Sequence, residues 1–404
     1  MPLIRVLQSR HVTLGVTGSI AAFKAVGLAS TLHQAGAVVD VAMTADAQRF
    51  VTPLSFQAIT HRPVFDNLWA PGMETDIAHV TLGRESDLFV VAPATAHMLG
   101  KLANGLADDP VSVTALAARC PLIVAPAMDA GMYTHPATAA NIQTLRSRGV
   151  IVVEPESGHL ASGLTGLGRL VEPETIVDIV RATLGANGDL AGRTVAVTAG
   201  GTVEPIDPVR FISNRSSGKM GYALAEAARD RGANVILITT PTALRVPGGL
   251  EVVRVEQALE MLDALRAVYA RLDALIMPAA VADFRVDEPR TQKVKRGADA
   301  LNLRLVPNPD LTAASAAFET ARRPVRVGFA AETHDVLDQA HAKLLRKSLD
   351  FIVANDVSAD VFGSDSNEVT LLWADGRHQA LPRLSKADVA ERVLDAVVDG
   401  LSRR

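Results

Sequence analysis

Short apolar runs rich in β-branched residues alternate with longer stretches rich in alanine and leucine along this 404-residue chain. The runs are almost continuous in apolar residues, which is typical of strands that helices cover on both faces. Alternation of this kind predicts parallel sheets built from strand–helix–strand units. Strands are predicted at 12–16, 38–43, 88–92, 122–125, 150–153, 194–198, 235–239, 274–277, 326–329 and 351–354.

Three glycines mark places where a helix is predicted to end and the next strand to begin. Gly36, Gly149 and Gly232 each close a stretch that carries a histidine or arginine, and each precedes an apolar run. A helix C-terminus favours a left-handed residue and a nearby cation. These glycines therefore indicate the helix-to-strand joints of parallel sheets.

The stretch 181–195 is polar and rich in glycine, and it stands between a predicted helix and a new valine-rich strand. A stretch of this composition is typical of a domain boundary. The predicted fold class is α/β, with two doubly wound, Rossmann-like domains at 1–187 and 190–404.

The composition excludes several classes of function. The formal net charge of −4 gives no field suited to a polyanion, so nucleic acid is not an expected partner. A single cysteine excludes an intrachain disulfide and a zinc finger. The sequence shows no long charge-free apolar run and no signal peptide, so we expect a cytoplasmic protein without a membrane partner.

The segment VTLGVTGSIAAFKA predicts a strand, a glycine-containing turn and a helix. Gly18 leaves the backbone bare there, and Ser19 with the helix N-terminus can hold a phosphate. Thr44 follows the second strand, and Thr95 and Ala96 follow the strand at 88–92. Ligands of open α/β sheets bind at the carboxyl ends of strands, so these residues indicate a site for a phosphate and a planar ring. On these residues alone, the alternative of a structural turn that binds no ligand stays open.

Residues 10–175 resemble the flavin-dependent cysteine decarboxylases. The resemblance rests on the motifs GVTGSIAA, PATAHMLGKLANGLADD, PAMDAGMY and SGLTGLGRL. It implies bound FMN and makes His79 the catalytic histidine. The residues that it implies around the flavin are Gly18, Ser19, Thr44, Thr95 and Ala96.

Two positions depart from the pattern of this family. Asp129 stands where the family usually has asparagine, and Ser162 stands where it usually has cysteine. The resemblance implies that Asp129 and Met132 contact substrate and that Ser162 takes the place of a proton donor. A serine would donate only weakly or relay from water, since a hydroxyl loses its proton less readily than a thiol. Asp129 would repel a substrate carboxylate unless protonated, and a protonated Asp129 would be a donor itself.

The stretch TAGGTVEPIDPVRFISNRSSGKMG leads from a predicted strand into a second helix. Its backbone carries no side chains at Gly200, Gly218 and Gly221. Ser216 and the helix N-terminus offer hydrogen-bond donors to a phosphate chain. The spacing is not that of a Walker A loop. The alternative is a loop that only closes the sheet.

Charged and aromatic residues follow the later strands. Asp283 and Lys293 come after the strand at 274–277, where a carboxylate for a metal ion and a cation for phosphates would suit nucleotidyl transfer. The alternative is that Asp283 and Lys293 belong to a run of charges on the solvated surface. Phe329 could pack on a base, while Lys343 and Lys347 share one helix face and either reach phosphate or remain solvated.

Residues 193–395 resemble phosphopantothenate–cysteine ligase on the motifs SNRSSGKMG, AAVADFR, NPD, GFAAET and AND. Gly201, where many members have proline, is the one departure. The resemblance implies CTP, Mg²⁺ at Asp283, an acyl-cytidylate held by Asn214, and Lys293 as the stabiliser of charge. The substrate-binding residues that it implies are Gly200, Ser216, Gly218, Gly221, Ala279, Ala280, Asp283, Asn308, Pro309, Asp310, Leu311, Phe329, Lys343, Lys347 and Asn355.

A decarboxylase followed by a ligase is the order found in the bifunctional proteins of coenzyme A biosynthesis. The resemblance therefore implies ligation of cysteine to 4′-phosphopantothenate with CTP, then FMN-dependent decarboxylation to 4′-phosphopantetheine. It also implies a homo-oligomer, with dimers of ligase domains and trimers of decarboxylase domains giving a dodecamer. Two alternatives stay open: a ligase whose flavin domain is only structural, and a flavin- or nucleotide-binding interaction protein without catalysis.

Overall fold

The computed structural model describes residues 4–69, 78–295, 300–332, 336–356 and 364–404. Contacts divide the chain into two compact units, Met1–Leu184 and Gly185–Arg404. This division falls a few residues before the boundary predicted from the polar stretch. Each unit is described separately below.

A six-stranded parallel sheet forms the centre of the first unit, in the order β3-β2-β1-β4-β5-β6. The strands of this unit, including a separate antiparallel pair β7–β8, are β1 (His11–Val16), β2 (Val38–Met43), β3 (Val64–Phe65), β4 (Leu88–Ala94), β5 (Leu122–Pro126), β6 (Ile151–Val152), β7 (Glu156–His159) and β8 (Thr165–Arg169). The helices are α1 (Ala22–Gln34), α2 (Pro53–Thr60), α3 (Ala78–Glu85), α4 (Ala96–Asn104), α5 (Pro110–Ala117), α6 (Ala130–Tyr133), α7 (Pro136–Ser147) and α8 (Pro173–Gly185).

The second unit contains an eight-stranded sheet and two short antiparallel pairs. Its strands are β9 (Thr194–Ala199), β10 (Val203–Pro205), β11 (Phe211–Ser213), β12 (Asn234–Thr239), β13 (Glu251–Arg254), β14 (Ala274–Met277), β15 (Phe284–Val286), β16 (Leu305–Pro307), β17 (Val325–Glu332), β18 (Phe351–Asp356), β19 (Ser366–Trp373) and β20 (His378–Ser385). Its helices are α9 (Lys219–Asp230), α10 (Ala258–Val268), α11 (Leu311–Ala314), α12 (Val336–Arg346) and α13 (Lys386–Ser402).

The order of the eight strands is β13-β12-β9-β14-β17-β18-β19-β20. The first six are parallel and repeat the order of the first unit, whereas β19 and β20 extend the sheet as an antiparallel hairpin. This is the strand order of a doubly wound nucleotide-binding sheet. The predicted α/β class is therefore confirmed, and every strand predicted from the apolar runs is present.

Most of the strands that sequence analysis missed are short or lie at edges; the exception is β19, which has eight residues and lies between β18 and β20. β20 is mostly exposed, and β7 has no buried residue, so neither has the continuous apolar pattern of a central strand. The stretch after β14 was expected to be a loop, but it contains β15, which pairs with β16, the strand directly before the NPD segment. A three-residue pair of this kind leaves too little periodicity to be recognised.

The central strands are apolar because helices cover and bury them. All seven residues of β4 are buried, and β1 is buried from Val12 to Val16. Gly36, Gly149 and Gly232 have φ values of 105°, 84° and 88°, so the three predicted joints are confirmed as left-handed residues. Among the described residues, no helix combines the length and apolar character that crossing a membrane requires.

Gly232 and Gly192 provide a matched test of this packing. Both have positive φ, but a Cβ on Gly232 would lie 2.9 Å from the carbonyl oxygens of Gly185 and Ala186, whereas a Cβ on Gly192 would meet nothing within 4 Å. We expect Gly192→Ala to lower the free energy of unfolding by about 1–2 kcal/mol, the cost of a left-handed alanine. Gly232→Ala should cost at least about 1 kcal/mol more, because the backbone must also move. Equal losses in calorimetric unfolding would contradict this packing.

Candidate active sites

The ends of β1 and β4 are joined by hydrogen bonds from one buried threonine. The hydroxyl of Thr17 donates to the carbonyl oxygen of Pro93 at 2.6 Å and accepts from the backbone N–H of Thr95 at 3.2 Å. Thr95 in turn caps α4, since its side chain accepts from the N–H of Met98 at 3.2 Å. Thr17 was not singled out from the sequence, although its position directly after β1 was a usable signal.

The loop after β2 lies directly against the loop after β1. A Cβ on Gly18 would stand only 2.4 Å from the Cβ of Asp46, so this contact requires glycine. Thr44 fixes the β2 loop by accepting from the N–H of Ala47 at 3.2 Å. Ser19 accepts from the N–H of Ala21 at 3.3 Å, just before α1 begins. Hydroxyl groups, backbone N–H groups and a helix N-terminus therefore converge at one edge of the sheet, which suits a phosphate and a flat ring.

A cleft of about 360 Å³ opens beside this edge. The start of α1 forms one wall, the segment after β5 forms another, and the turn of the β7–β8 hairpin closes it. The lining residues are Ser19, Ile20, Ala21, Phe23, Lys24, Ala127, Met128, Asp129, His159, Leu160, Ala161, Ser162, Gly168, Arg169 and Leu170.

Gly168 docks the β7–β8 hairpin onto the segment after β5. Its carbonyl oxygen accepts from the N–H of Met128 at 3.0 Å, and a Cβ at Gly168 would stand 2.1 Å from the carbonyl oxygen of Met128. Only a residue without a side chain permits this approach. The docking brings Ser162, in the hairpin turn, to Asp129.

Ser162 and Asp129 form a direct pair in the cleft. The hydroxyl of Ser162 donates to Oδ2 of Asp129 at 2.6 Å, while Oδ1 accepts from the N–H of Gly131 at 3.0 Å. These two hydrogen bonds, the one from Ser162 first, hold the pKa of Asp129 below its ordinary value of 3.8. A lowered pKa favours an ionised Asp129 at neutral pH over the protonated, donating Asp129 of the sequence hypothesis. Met132 lies one turn further, in α6, with 51% of its surface exposed.

His79 occupies the first turn of α3. Gly83 of the same helix packs closely on Ala117, at the end of α5. His79 is not among the residues that line the cleft in the described part of the chain. One chain therefore brings Ser162 and Asp129 together but leaves His79 outside their cleft.

A second cleft, of about 310 Å³, lies at the carboxyl edge of β9, β14, β17 and β18. Gly218, with φ of 77°, begins α9, and a Cβ on Gly221 would stand 2.6 Å from the Cβ of Ala199. The helix therefore packs directly on the end of β9, with its N-terminus at the cleft. The predicted residues that line the cleft are Ser216, Gly218, Gly221, Ala279, Ala280, Phe329, Lys343 and Asn355.

The loop after β14 is pinned to the loop after β9. The N–H of Ala280 donates to the carbonyl oxygen of Gly200 at 2.9 Å, and the carbonyl oxygen of Ala280 accepts from the N–H of Thr202 at 3.2 Å. The same carbonyl oxygen accepts from Nδ2 of Asn214 at 3.1 Å. Asn214 is therefore held against the Ala279–Ala280 wall, although it is not itself among the lining residues.

The NPD segment is held together beside the cleft rather than within its lining. Nδ2 of Asn308 donates to the carbonyl oxygen of Ala282 at 2.9 Å, and the N–H of Asn308 donates to the carbonyl oxygen of Asp283 at 2.8 Å. Asp310 caps α11 and pairs with Lys347, whose Nζ lies 2.8 Å from Oδ2. Burial raises the pKa of Asp310, but the hydrogen bonds from Lys347 and the N–H of Ala313, together with the charges of Lys347 and Lys343, lower it by more, so the net shift is downward. Pro309 and Leu311 complete this segment.

Arg326, which sequence analysis missed, anchors the same segment from β17. Its side chain is fully buried and donates to the hydroxyl of Ser315 at 2.9 Å and to the carbonyl oxygen of Ser348 at 3.1 Å. Ser315 follows α11 and Ser348 follows Lys347. The guanidinium thus ties together the two regions that carry Asp310 and Lys347.

Lys293 is exposed, but the backbone next to it is fixed. Oδ2 of Asp207 accepts from the N–H of Val294 at 3.1 Å, and Arg210 donates to the carbonyl oxygen of Val294 at 2.7 Å. Burial raises the pKa of Asp207, but hydrogen bonds from Arg210 and from backbone N–H groups hold it well below its ordinary value. This buried anion positions the loop of Lys293. The motif EPIDPVR contained both residues, but nothing in its pattern indicated this contact.

Asp283, in the segment between β14 and β15, is exposed. Among the described residues, no three histidine, cysteine, aspartate or glutamate side chains come together as a metal site. Thr333 of the GFAAET motif lies outside the described residues.

Comparison with known families divides the chain at the same place. Residues 3–185 match the family "Flavoprotein", and residues 190–401 match the "DNA/pantothenate metabolism flavoprotein C-terminal domain". The "Coenzyme A biosynthesis bifunctional protein CoaBC" of Bacillus subtilis is 45% identical over 396 residues, and that of Escherichia coli strain K12 is 44% identical over 397 residues. Each alignment covers 97% of both chains. A crystal structure of the C-terminal domain of a CoaBC protein is 38% identical, with a TM-score of 0.47, and covers 54% of this chain and all of that chain.

The charge of Asp129 can be checked by titration. Carboxyl carbon NMR of aspartate-labelled protein should show Asp129 titrating below 3.8, and Ser162→Ala should raise its pKa towards that value. The reason is that the substitution removes the larger of the two hydrogen bonds to the ionised carboxylate. Thr144→Ala, on α7, is the control and should leave the titration unchanged. An Asp129 pKa that does not respond to Ser162→Ala would contradict the pairing.

Proposed function

The chain belongs to the family of bifunctional coenzyme A biosynthesis proteins, and we propose how its residues divide the two activities of that family. The protein is an enzyme with ligase and decarboxylase activities, since it matches CoaBC relatives over 97% of their length and carries both domains. The observation that supports the division most directly is that each unit carries its own cleft at a strand–glycine-loop–helix edge.

The second unit is proposed to ligate cysteine to 4′-phosphopantothenate with CTP. The carboxylate of phosphopantothenate attacks the α-phosphate of CTP, so that an acyl-cytidylate forms and pyrophosphate leaves. The amine of cysteine then displaces CMP, and an amide results. The N-terminus of α9 at Ser216 and Gly218 supplies donors for phosphate, and Asn214 stands beside Ala280 to hold the acyl group. Lys293 would offset negative charge that develops on the phosphate.

A magnesium ion is proposed to reach this site with the triphosphate. Magnesium at nucleotide sites usually keeps water and phosphate oxygens and takes only one or two protein carboxylates. A single carboxylate such as Asp283 after β14 fits that arrangement, since the described residues contain no group of three potential ligands. Asp283 would then be the protein ligand.

The first unit holds a flavin, and FMN is proposed as its form. Bound flavin supplies the two-electron oxidation of the cysteinyl thiol and the later reduction. The bare backbone at Gly18, the hydroxyls of Ser19 and Thr44, and the α4 start at Thr95 and Ala96 suit its phosphate and ring.

His79 and the Ser162–Asp129 pair are proposed to act on opposite sides of the substrate. Because His79 stands outside the cleft of its own chain, we propose that it serves the flavin site of a neighbouring copy, as the oligomers of the family imply. The hydroxyl proton of Ser162 is engaged by an ionised carboxylate, so Ser162 would orient a water that delivers the final proton. Asp129 would keep Ser162 in place rather than bind the substrate carboxylate.

Flavin retention tests the first site without requiring turnover. Gly18→Ala should yield a purified protein that has lost most of its yellow colour, because the new Cβ would stand 2.4 Å from that of Asp46 and push the two loops apart. Gly27→Ala, within α1, is the control, since its Cβ would meet nothing nearer than 4.0 Å. Flavin absorbance per chain measures the outcome. Equal flavin content in the two variants would contradict the proposed cradle.

The division of labour predicts that each activity can be lost separately. His79→Asn should slow release of carbon dioxide from phosphopantothenoylcysteine by at least about 100-fold and leave CMP formation intact. Lys293→Gln should do the opposite, with a loss of CMP formation of roughly 10- to 100-fold. Parallel assays of the two products on each variant decide the matter. Loss of both activities in either variant, with unfolding temperature unchanged, would argue against separate sites.

A further inference from the structure

One corner of the second cleft is built by residues that the proposed function leaves without a role. Asn367 lies at the start of β19, and Lys386 is the first residue of α13. Both line the cleft together with Lys219, the first residue of α9. None of the three was singled out from the sequence, because the β19–β20 hairpin that brings them there follows the recognisable parallel strands.

The segment before β19 ties the starts of the two helices together. The ammonium group of Lys386 donates to the carbonyl oxygen of Ser364, and the N–H of Lys386 donates to the carbonyl oxygen of Asp365 at 3.0 Å. The carboxylate of Asp365 accepts from Nζ of Lys219 at 2.7 Å. Both lysine side chains are thereby held at one corner of the cleft.

Among the described residues, the charged side chains that line this corner are all lysines. Lys343 from α12 lines the same cleft, and its described lining includes no carboxylate. Asp365, which pairs with Lys219, has 90% of its side chain exposed to solvent, so water screens its charge. Burial lowers the pKa of Lys386, and the charge of Lys219 lowers it further. An anion bound here would relieve that repulsion.

Asn367 adds an unsatisfied polar group. Only 8% of its surface is exposed, and its Oδ1 has no hydrogen-bond partner among the described residues. Asn355, at the end of the neighbouring β18, also has a buried Oδ1 without a partner. Buried amides without partners are uncommon in folded proteins and point to a missing ligand or water. Since an amide can turn to present its NH₂ group, it suits an anion beside lysines.

The topology places this corner away from the acyl-binding end of the cleft. β14, which leads to Ala280, is separated from β19 by β17 and β18. Neighbouring strands are about 4.8 Å apart, so the two ends are about 14 Å apart. The start of β19 meets the carboxyl end of β18, because these strands are antiparallel. The cleft therefore has room for an extended phosphorylated substrate between Asn214 and Asn367.

We propose that Lys386, Asn367 and Lys219 form a subsite for a phosphate group at the β19 end of the cleft. The inference rests on the proposed ligase function for the identity of the phosphate. Two sources share this chemistry: the β- and γ-phosphates of CTP, which leave as pyrophosphate, and the phosphate of 4′-phosphopantothenate.

Calorimetric titration of the whole protein with pyrophosphate and with 4′-phosphopantothenate tests the subsite directly. Lys386→Met should weaken binding of one of the two by about 10- to 100-fold, the usual effect of losing a charge-assisted hydrogen bond. Weakened pyrophosphate assigns the subsite to the nucleotide, and weakened phosphopantothenate assigns it to the substrate. Arg377→Gln, a charge removal at the far end of the same hairpin, should change neither affinity by more than about twofold.

Asn367→Asp provides a second variant of nearly equal size and should weaken the same ligand, because it places a negative charge beside the phosphate. Unfolding temperatures show whether both variants fold. The proposal is overturned if folded Lys386→Met and Asn367→Asp bind both ligands like the wild type. Binding needs no turnover, so the two claims can fail separately. If the variants lose binding and the wild type does not ligate with CTP, only the proposed function is refuted. If the wild type ligates and both variants bind normally, only the subsite is refuted.

Discussion

Each site lies where a loop or the start of a helix comes close to the end of a central strand, β1 in the first unit and β9 in the second. In the second unit, Gly221 lets α9 touch Ala199 at the end of β9, so the helix N-terminus faces the sheet edge. In the first unit, Gly18 lets the β2 loop lie against the β1 loop in the same position along the sheet. Because parallel strands end at one edge, the other side chains of each site follow from this contact.

The two clefts differ in charge, and the difference suits their chemistry. An ionised Asp129 holds a serine hydroxyl in the first cleft, which provides a fixed dipole but no strong acid. Lysines and a helix N-terminus surround the second, where negative charge must be bound and moved. Nucleotidyl transfer depends on positive charge that binds and stabilises phosphate groups.

Sequence reasoning succeeds where one physical pattern repeats, and it fails where a site depends on irregular elements. The apolar runs of β1, β4 and β9 and the left-handed Gly149 are local signals, and all were predicted. The docking of the β7–β8 hairpin is not local, because it depends on the fit between Gly168 and a carbonyl group 40 residues earlier in the chain. The hydrogen bond from Ser162 to Asp129 depends on that docking.

Other parts of the sites depend on contacts that no spacing encodes. The buried guanidinium of Arg326 holds the NPD segment from a strand whose pattern is otherwise apolar. The β19–β20 hairpin brings Asn367 to the cleft, yet its alternating polar residues resemble those of any edge strand. The motif around His79 predicts a catalytic role, but it does not indicate which copy's flavin site the histidine would serve.

The most direct test of this account is mass analysis of the products that the purified chain forms from 4′-phosphopantothenate, cysteine and CTP. The account predicts 4′-phosphopantetheine in the same amount as CMP, with carbon dioxide released in step. Accumulation of phosphopantothenoylcysteine without carbon dioxide would contradict it, and would show that the Ser162–Asp129 cleft no longer supports catalysis.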